Sequence, residues 1–157
     1  MGMQKTDVEL ESKNNLMPML KGKVFHVTPT INIPLIVKSG AILPNTANKW
    51  NSLFGNSVNG FFRLRGCVSL FDYRDYGLEE WEAHAYKCTP TQIFHQTDSV
   101  SILVLSDKYH DRLESWINWK LEEKWSQRVV PHVEVGFPGE VKIEYLSEHI
   151  IARIKSS

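Results

Sequence analysis

The chain has 157 residues, a length that fits one domain able to bury a single core without metals or disulfides. Its 18 basic and 18 acidic residues leave a formal charge of zero, so the balance gives no support to a polyanionic partner or an anionic membrane surface. Cys67 and Cys88 stand in no CxxC or His-rich spacing, no apolar run approaches the roughly 18 residues of a membrane span, and Met1 to Asn15 is polar where a signal peptide is apolar. The expectation is a soluble, cytoplasmic protein with buried thiols, no metal and no membrane segment.

Residues 1–20 mix charges with Asn and Lys before Leu16-Met17-Pro18-Met19-Leu20, and they are expected to form a flexible arm, leaving 21–157 as one folded domain. The short apolar run Val24-Phe25-His26-Val27-Thr28 is a strand pattern, in which His26 and Thr28 share a face. It passes through Pro29 into a helical segment, Asn32 to Ser39, closed by Gly40. A histidine and a hydroxyl beside the start of a helix, where backbone N–H groups point outward, suggest a nucleotide pocket. Taken alone, His26 is also the pattern of a half-buried strand histidine.

From Leu43 to Gly60 the chain is rich in Asn, Ser and Gly and carries Trp50, Leu53 and Phe54, a composition that predicts a functional loop able to close over the pocket as a lid. Phe61 to Arg65 and Gly66 to Tyr73 alternate apolar and polar residues in the strand manner, with Gly66 between them. Gly77 to Lys87 reads as a short helix or connector, with Tyr73 and Tyr76 free either to pack on it or to stack on a ligand. Ser99 to Leu105 is a central strand, almost continuously apolar. Ser106 caps a long helix whose apolar stripe runs through Tyr109, Leu113, Trp116, Ile117 and Leu121.

The last third predicts a strand over Arg128 to Val135, a turn at Gly136-Phe137-Pro138-Gly139, a partner strand over Glu140 to Tyr145 and a terminal strand over His149 to Ile154. Glu134 alternates with Val133 and Val135, so its carboxylate faces away from its apolar neighbours, either to solvent or into a site. The series is α+β, in one domain. The acid–histidine strings Asp107, His110, Asp111, Glu114 and Glu80, His84 are solvated helix faces rather than HExxH-type ligand sets, and Ser69 stands in no G-x-S-x-G context.

The order His26-x-Thr28 on a first strand, a following Asn32-Ile33-x-x-Ile36-x-x-x-Gly40 helix, and a late glutamate strand before a terminal strand resembles the ADP-ribosyltransferase fold. Lys23 to Pro44 is most similar to the opening of DarT-type toxins that ADP-ribosylate DNA, and more loosely to NAD-using RNA 2′-phosphotransferases; Val129 to Ile154 is similar by pattern. The resemblance implies a mixed or antiparallel split sheet with a few helices and a cytoplasmic toxin that uses NAD as substrate. It implies that His26 and Thr28 hold the nicotinamide ribose and that Glu134 is the catalytic carboxylate, with Glu140 and Glu144 as alternatives on the neighbouring turn and strand. Arg63 or Arg65 would reach the pyrophosphate through guanidinium geometry, or else simply form a strand's polar face. Tyr73 is the candidate to stack on nicotinamide. The acceptor would be DNA, RNA or protein, with an antitoxin or immunity partner possible. The physical logic is general: loss of a cationic leaving group builds positive charge on the sugar, which a fixed carboxylate stabilises. A second class of function follows from the unclear middle motif and surplus tryptophans, namely an inactive interaction module that keeps this fold and binds a protein or nucleic acid.

Overall fold

The structure, a computed structural model, describes residues 3–45 and 59–155. The first strand, β1 (Gln4–Leu10), precedes a one-turn helix α1 (Leu16–Met19), strand β2 (Val24–Pro29), helix α2 (Ile33–Ser39) and a short β3 (Ala41–Ile42). Next come α3 (Phe61–Leu64), β4 (Cys67–Asp72), α4 (Glu79–Ala85), β5 (Ser99–Leu105), β6 (Glu114–Ser115) and α5 (Ile117–Leu121). β7 (Glu134–Pro138), β8 (Val141–Lys142) and β9 (Leu146–Ile154) complete the chain. The fold is α+β in a single domain, with a mostly antiparallel sheet. Among the described residues, seven strands form one sheet in the order β1-β9-β5-β2-β4-β7-β6, and β3 pairs with β8 separately. Only the β1–β9 pair is parallel among these. Among the described residues no helix is long and apolar enough to cross a membrane.

Strand β5 shows why the sheet is central. Val100, Ile102 and Val104 pack on one face and Leu103 and Leu105 on the other, all buried. Burying each such side chain stabilises the fold by roughly 1.5–3 kcal/mol. The first face also holds Phe25, Val27, Phe71 and Ile150, covered by Leu16, Leu20, Trp81 and Ile93. The second holds Val24, Leu70, Val135 and Phe137, covered by Ile33 and Ile36 of α2 with Ile42, Val141 and Leu146. β2 joins β5 over five rungs, Phe25 to Pro29, but joins β4 over only two, Val24↔Asp72 and Phe25↔Phe71. The ladder between β2 and β4 therefore ends at Phe25, one residue before His26.

Several expectations are corrected. Residues 3–20, the described part of the expected arm, are not loose: β1 runs beside β9 from Gln4↔Glu148 to Leu10↔Ile154, and Leu16 and Leu20 are fully buried. An edge strand needs to bury only alternate residues, so its polar composition misleads. Phe61 to Arg65 is a helical turn rather than a strand, which lets consecutive Phe61 and Phe62 both enter a cluster with Trp116 and Trp119. Gly136 lies inside β7 rather than in a turn, and its lack of a side chain makes room there for the Phe62 ring. The turn falls at Gly139, whose φ of +79° suits glycine.

The long helix after Ser106 is also broken up. Ser106 does cap, accepting from the Lys108 N–H, but Asp107–Arg112 is a 3₁₀ segment and Leu113 is extended. Glu114 and Ser115 then pair with Gly136 and Val135 of β7 before α5 begins. The Arg112 guanidinium lies 4.7 Å from the Phe137 ring centre and 5.1 Å from that of Tyr145. That contact and the β6 pairing outweigh the helical periodicity. The helix ending at Gly40 is as expected: its φ is +77° and its N–H donates to the Ile36 carbonyl at 2.9 Å.

Candidate functional site

Glu134 opens β7 directly after a tight turn. The N–H groups of Val133 and Glu134 both donate to the Val130 carbonyl, at 3.3 and 3.0 Å, and His132 within the turn has a φ of 66°. A left-handed backbone at a β-branched-flanked histidine is uncommon and marks a position the surroundings enforce. The turn returns the Val130 N–H onto Glu134, donating to Oε1 at 3.0 Å. From the neighbouring strand, the Ser69 hydroxyl donates to Oε2 at 2.5 Å. Burial raises the pKa of the carboxyl above its ordinary 4.5, while these two hydrogen bonds oppose the shift.

The carboxylate lines a cavity of about 400 Å³, with Asp72, Arg74, Glu80, Trp116 and His132 among its walls. Arg74 and Asp72 pair bidentately, Nε to Oδ1 at 2.9 Å and Nη2 to Oδ2 at 2.8 Å, so this guanidinium is already neutralised. The backbone carbonyl of Asp72 accepts from the Trp81 indole at 2.9 Å. The His132 ring packs between Trp116, with centroids 4.5 Å apart, and His84, at 5.4 Å. Burial, Lys87 and His132 together lower the pKa of His84. Acidic groups therefore dominate the cavity, and an aromatic pair forms one wall.

The register decides how the expected residues relate. Phe25, Phe71 and Glu134 are aligned across β2, β4 and β7. Residues directly opposed on antiparallel strands share a face, and neighbours along a strand alternate. Glu134 accordingly lies on the Phe25 face, and His26 on the opposite one with Leu103 and His149. A shared wall for His26 and Glu134 is thus not what the sheet forms, and His26 does not line the cavity. The reason is parity: one residue of offset in a strand exchanges faces.

On its own face, His26 makes no hydrogen bond to another described residue, and burial holds its pKa down at about 4, so its ring is neutral at pH 7. Thr28 accepts from the Asn32 side-chain amide at 3.1 Å, linking β2 to the start of α2. Beside it runs a hydroxyl ladder: Ser99 and Ser101 both donate to Thr30 Oγ1, at 2.8 and 3.0 Å, and His149 Nε2 lies 2.8 Å from Ser101 Oγ. With the Ser101 proton committed to Thr30, His149 is the donor in that last bond.

The other expected residues are placed elsewhere. Arg65 pairs with Glu114 through Nε and with Glu122 at 2.9 Å, so its guanidinium is engaged rather than presented to a pyrophosphate. Arg63 lies on α3, not on a strand, and donates to the Asn45 carbonyl at 3.2 Å. Tyr73 is fully buried, edge-on to Phe25 at 4.9 Å and to Trp81 at 4.7 Å, so it is a core residue and not a stacking platform for a ligand. Glu140 and Glu144 are exposed and lie outside the cavity, leaving Glu134 as the carboxylate of the three that lines it. Most of the expected lid, including Trp50, Leu53 and Phe54, lies outside the described residues.

Sequence reasoning missed Ser69, Trp116 and His132. Ser69 alternates with Val68 and Leu70, so its face was readable, but its strand partner was not. Nothing in the sequence signals a left-handed histidine. No family model, no curated protein and no solved structure matches this chain.

Proposed function

We propose that the chain transfers ADP-ribose from NAD to a macromolecular acceptor, with Glu134 as the carboxylate that stabilises positive charge on the ribose as nicotinamide leaves. The observation that carries this reading is the Glu134 carboxylate itself, held at both oxygens on the wall of a cavity that also offers aromatic surface. A fixed carboxylate in a water-poor cleft is what an oxocarbenium-like transition state requires. The fit to NAD is partial. Asp75, Glu80 and Glu134 outnumber the single guanidinium, Arg74, which Asp72 already satisfies, so the cavity suits the cationic nicotinamide-ribose end and not the diphosphate. The resemblance of Lys23 to Pro44 to DarT-type enzymes supports the same reading, although His26 and Thr28 face away from this cavity, on a strand separated from β7 by β4, and are not its cofactor anchors.

A second reading, an inactive module that binds a protein or nucleic acid, is favoured by one observation: His26 and Glu134 sit on opposite faces of the sheet. Calorimetry with NAD, coupled to counting of label transferred from NAD to DNA, RNA and protein, separates the two. Saturable micromolar binding with slow NAD consumption is expected of the enzyme. Silence at millimolar NAD would leave the module reading standing.

A further inference from the structure

We infer that Ser69 is the positioning residue of the Glu134 carboxylate, fixing one oxygen from a neighbouring strand while the turn backbone fixes the other. The inference rests on the reading of Glu134 as the charge-stabilising group, and it assigns a role to a residue outside the expected set.

The geometry is set by three positions. Ser69 lies on β4 opposite Gly136, and Phe71 lies opposite Glu134, so Ser69 and Glu134 are diagonal neighbours on one face. Position 136, opposite Ser69, has no side chain, and the Phe62 ring fills the space where its Cβ would stand. Ser69 Oγ then reaches Oε2 at 2.5 Å, and the Val130 N–H reaches Oε1 at 3.0 Å. The two donors come from different parts of the chain, one across the sheet and one from the turn that precedes β7. A terminal carboxylate torsion is otherwise broad, so anchoring both oxygens removes most of its freedom before any ligand arrives.

The chemistry of the donor matters as much as its position. A hydroxyl supplies a hydrogen bond without cancelling charge, whereas a lysine or arginine in the same place would neutralise the field the reaction needs. A bond donated to the ionised form also works against the burial that favours the neutral acid. Ser69 therefore aims the carboxylate and opposes the burial that favours the neutral acid. Its own side chain is exposed on the other sides, so it contributes little packing.

The test compares Ser69→Ala and Ser69→Thr in the full chain. The Glu134 side-chain carboxyl is titrated by carbon-13 NMR, its resonance identified by its loss in Glu134→Gln, and NAD consumption is followed across pH. In Ser69→Ala the carboxyl is expected to titrate about one pH unit higher, equivalent to about a tenfold change in its ionisation constant. Turnover at saturating NAD should fall by about tenfold with KM for NAD within about twofold, and Ser69→Thr should restore both. An alanine variant that titrates like the wild type, or a threonine variant that behaves like alanine, overturns the assignment. If the wild type consumes no NAD, the NMR comparison still decides the role of Ser69, and only the NAD reading falls.

Discussion

On the Phe71 face of the sheet, an ionisable group, Glu134, borders a cavity and is held by donors that leave its charge intact. On the opposite face, the polar residues Thr30, Ser99, Ser101 and His149 satisfy one another in a closed ladder, and Ser101 is fully buried. A serine hydroxyl takes part in both regions, Ser69 in the first and Ser99 and Ser101 in the second, yet they do different jobs. A network whose members are paired among themselves rigidifies the fold. A carboxylate whose lone pairs are only partly used, next to open volume, keeps interaction capacity for something else. Hydroxyl content alone therefore does not mark a site; the partner and the space beside it do.

The largest difference between the faces should appear in turnover. Glu134→Gln keeps the shape and one accepting oxygen but removes the charge, and is expected to lower NAD consumption by about 100-fold, on the scale of losing one transition-state electrostatic contact. His26→Ala, on the other face and outside the cavity, should leave both NAD affinity and saturated turnover within about twofold of wild type. Single-turnover rates set against calorimetric affinities separate these. Equal loss of turnover in both variants would mean that the two faces act on one reacting centre after all.

The next contrast lies in the pH dependence of stability. The His26 imidazole sits at about 4 in the folded protein against 6.5 unfolded. Between those values the unfolded chain binds more protons, so this contribution is fully present above pH 6.5 and is lost as pH falls to about 4. Discounted for the partial exposure of the ring, it is about 2 kcal/mol. Glu134 has the opposite sign: its folded pKa is raised above 4.5, so its contribution is present in acid and is lost as pH rises through the folded value. Urea midpoints collected from pH 4 to 8 should show the acid-side decline flattened in His26→Gln, and the opposing slope removed in Glu134→Gln. An unchanged acid limb in His26→Gln would show that the imidazole is not desolvated.

The smallest effects sharpen the distinction between rigidifying and functional hydroxyls. Ser101→Ala leaves the buried His149 Nε2 without its partner and is expected to cost about 1–2 kcal/mol in urea denaturation, with little change in NAD handling. Ser69→Ala is expected to stay within about 0.5 kcal/mol of wild-type stability. A reversal of that order would assign the structural role to the wrong face.

What was legible in the sequence follows the range of the interactions that decide each element. β5 and α2 were readable because their own composition fixes them, one by continuous burial and the other by a terminal glycine in the left-handed region. The carboxylate at Glu134 was readable from alternation with its neighbours. The break of the expected helix after Ser106 was not, because it depends on Arg112 meeting Phe137 and Tyr145 from distant segments. Nor was the use of Arg65, whose acidic partners lie on β6 and just beyond α5. The separation of His26 from Glu134 depends on strand registers across β2, β4 and β7, and no local pattern carries that information.

The pairing of β1 with β9 sets a condition on how the molecule comes to be assembled. Gln4 finds its place only against Glu148, so β1 stays unpaired until β9, far later in the sequence, is in place. Such distant pairing pays its loop-closure entropy late and slows folding relative to helical domains of similar size. Until β9 arrives, one backbone edge of β5 is unpaired and open to other nascent chains. Removal of either β1 or β9 would then act on the same seam, and a chaperone that holds the earlier strands would protect the interval in which this sheet is unfinished.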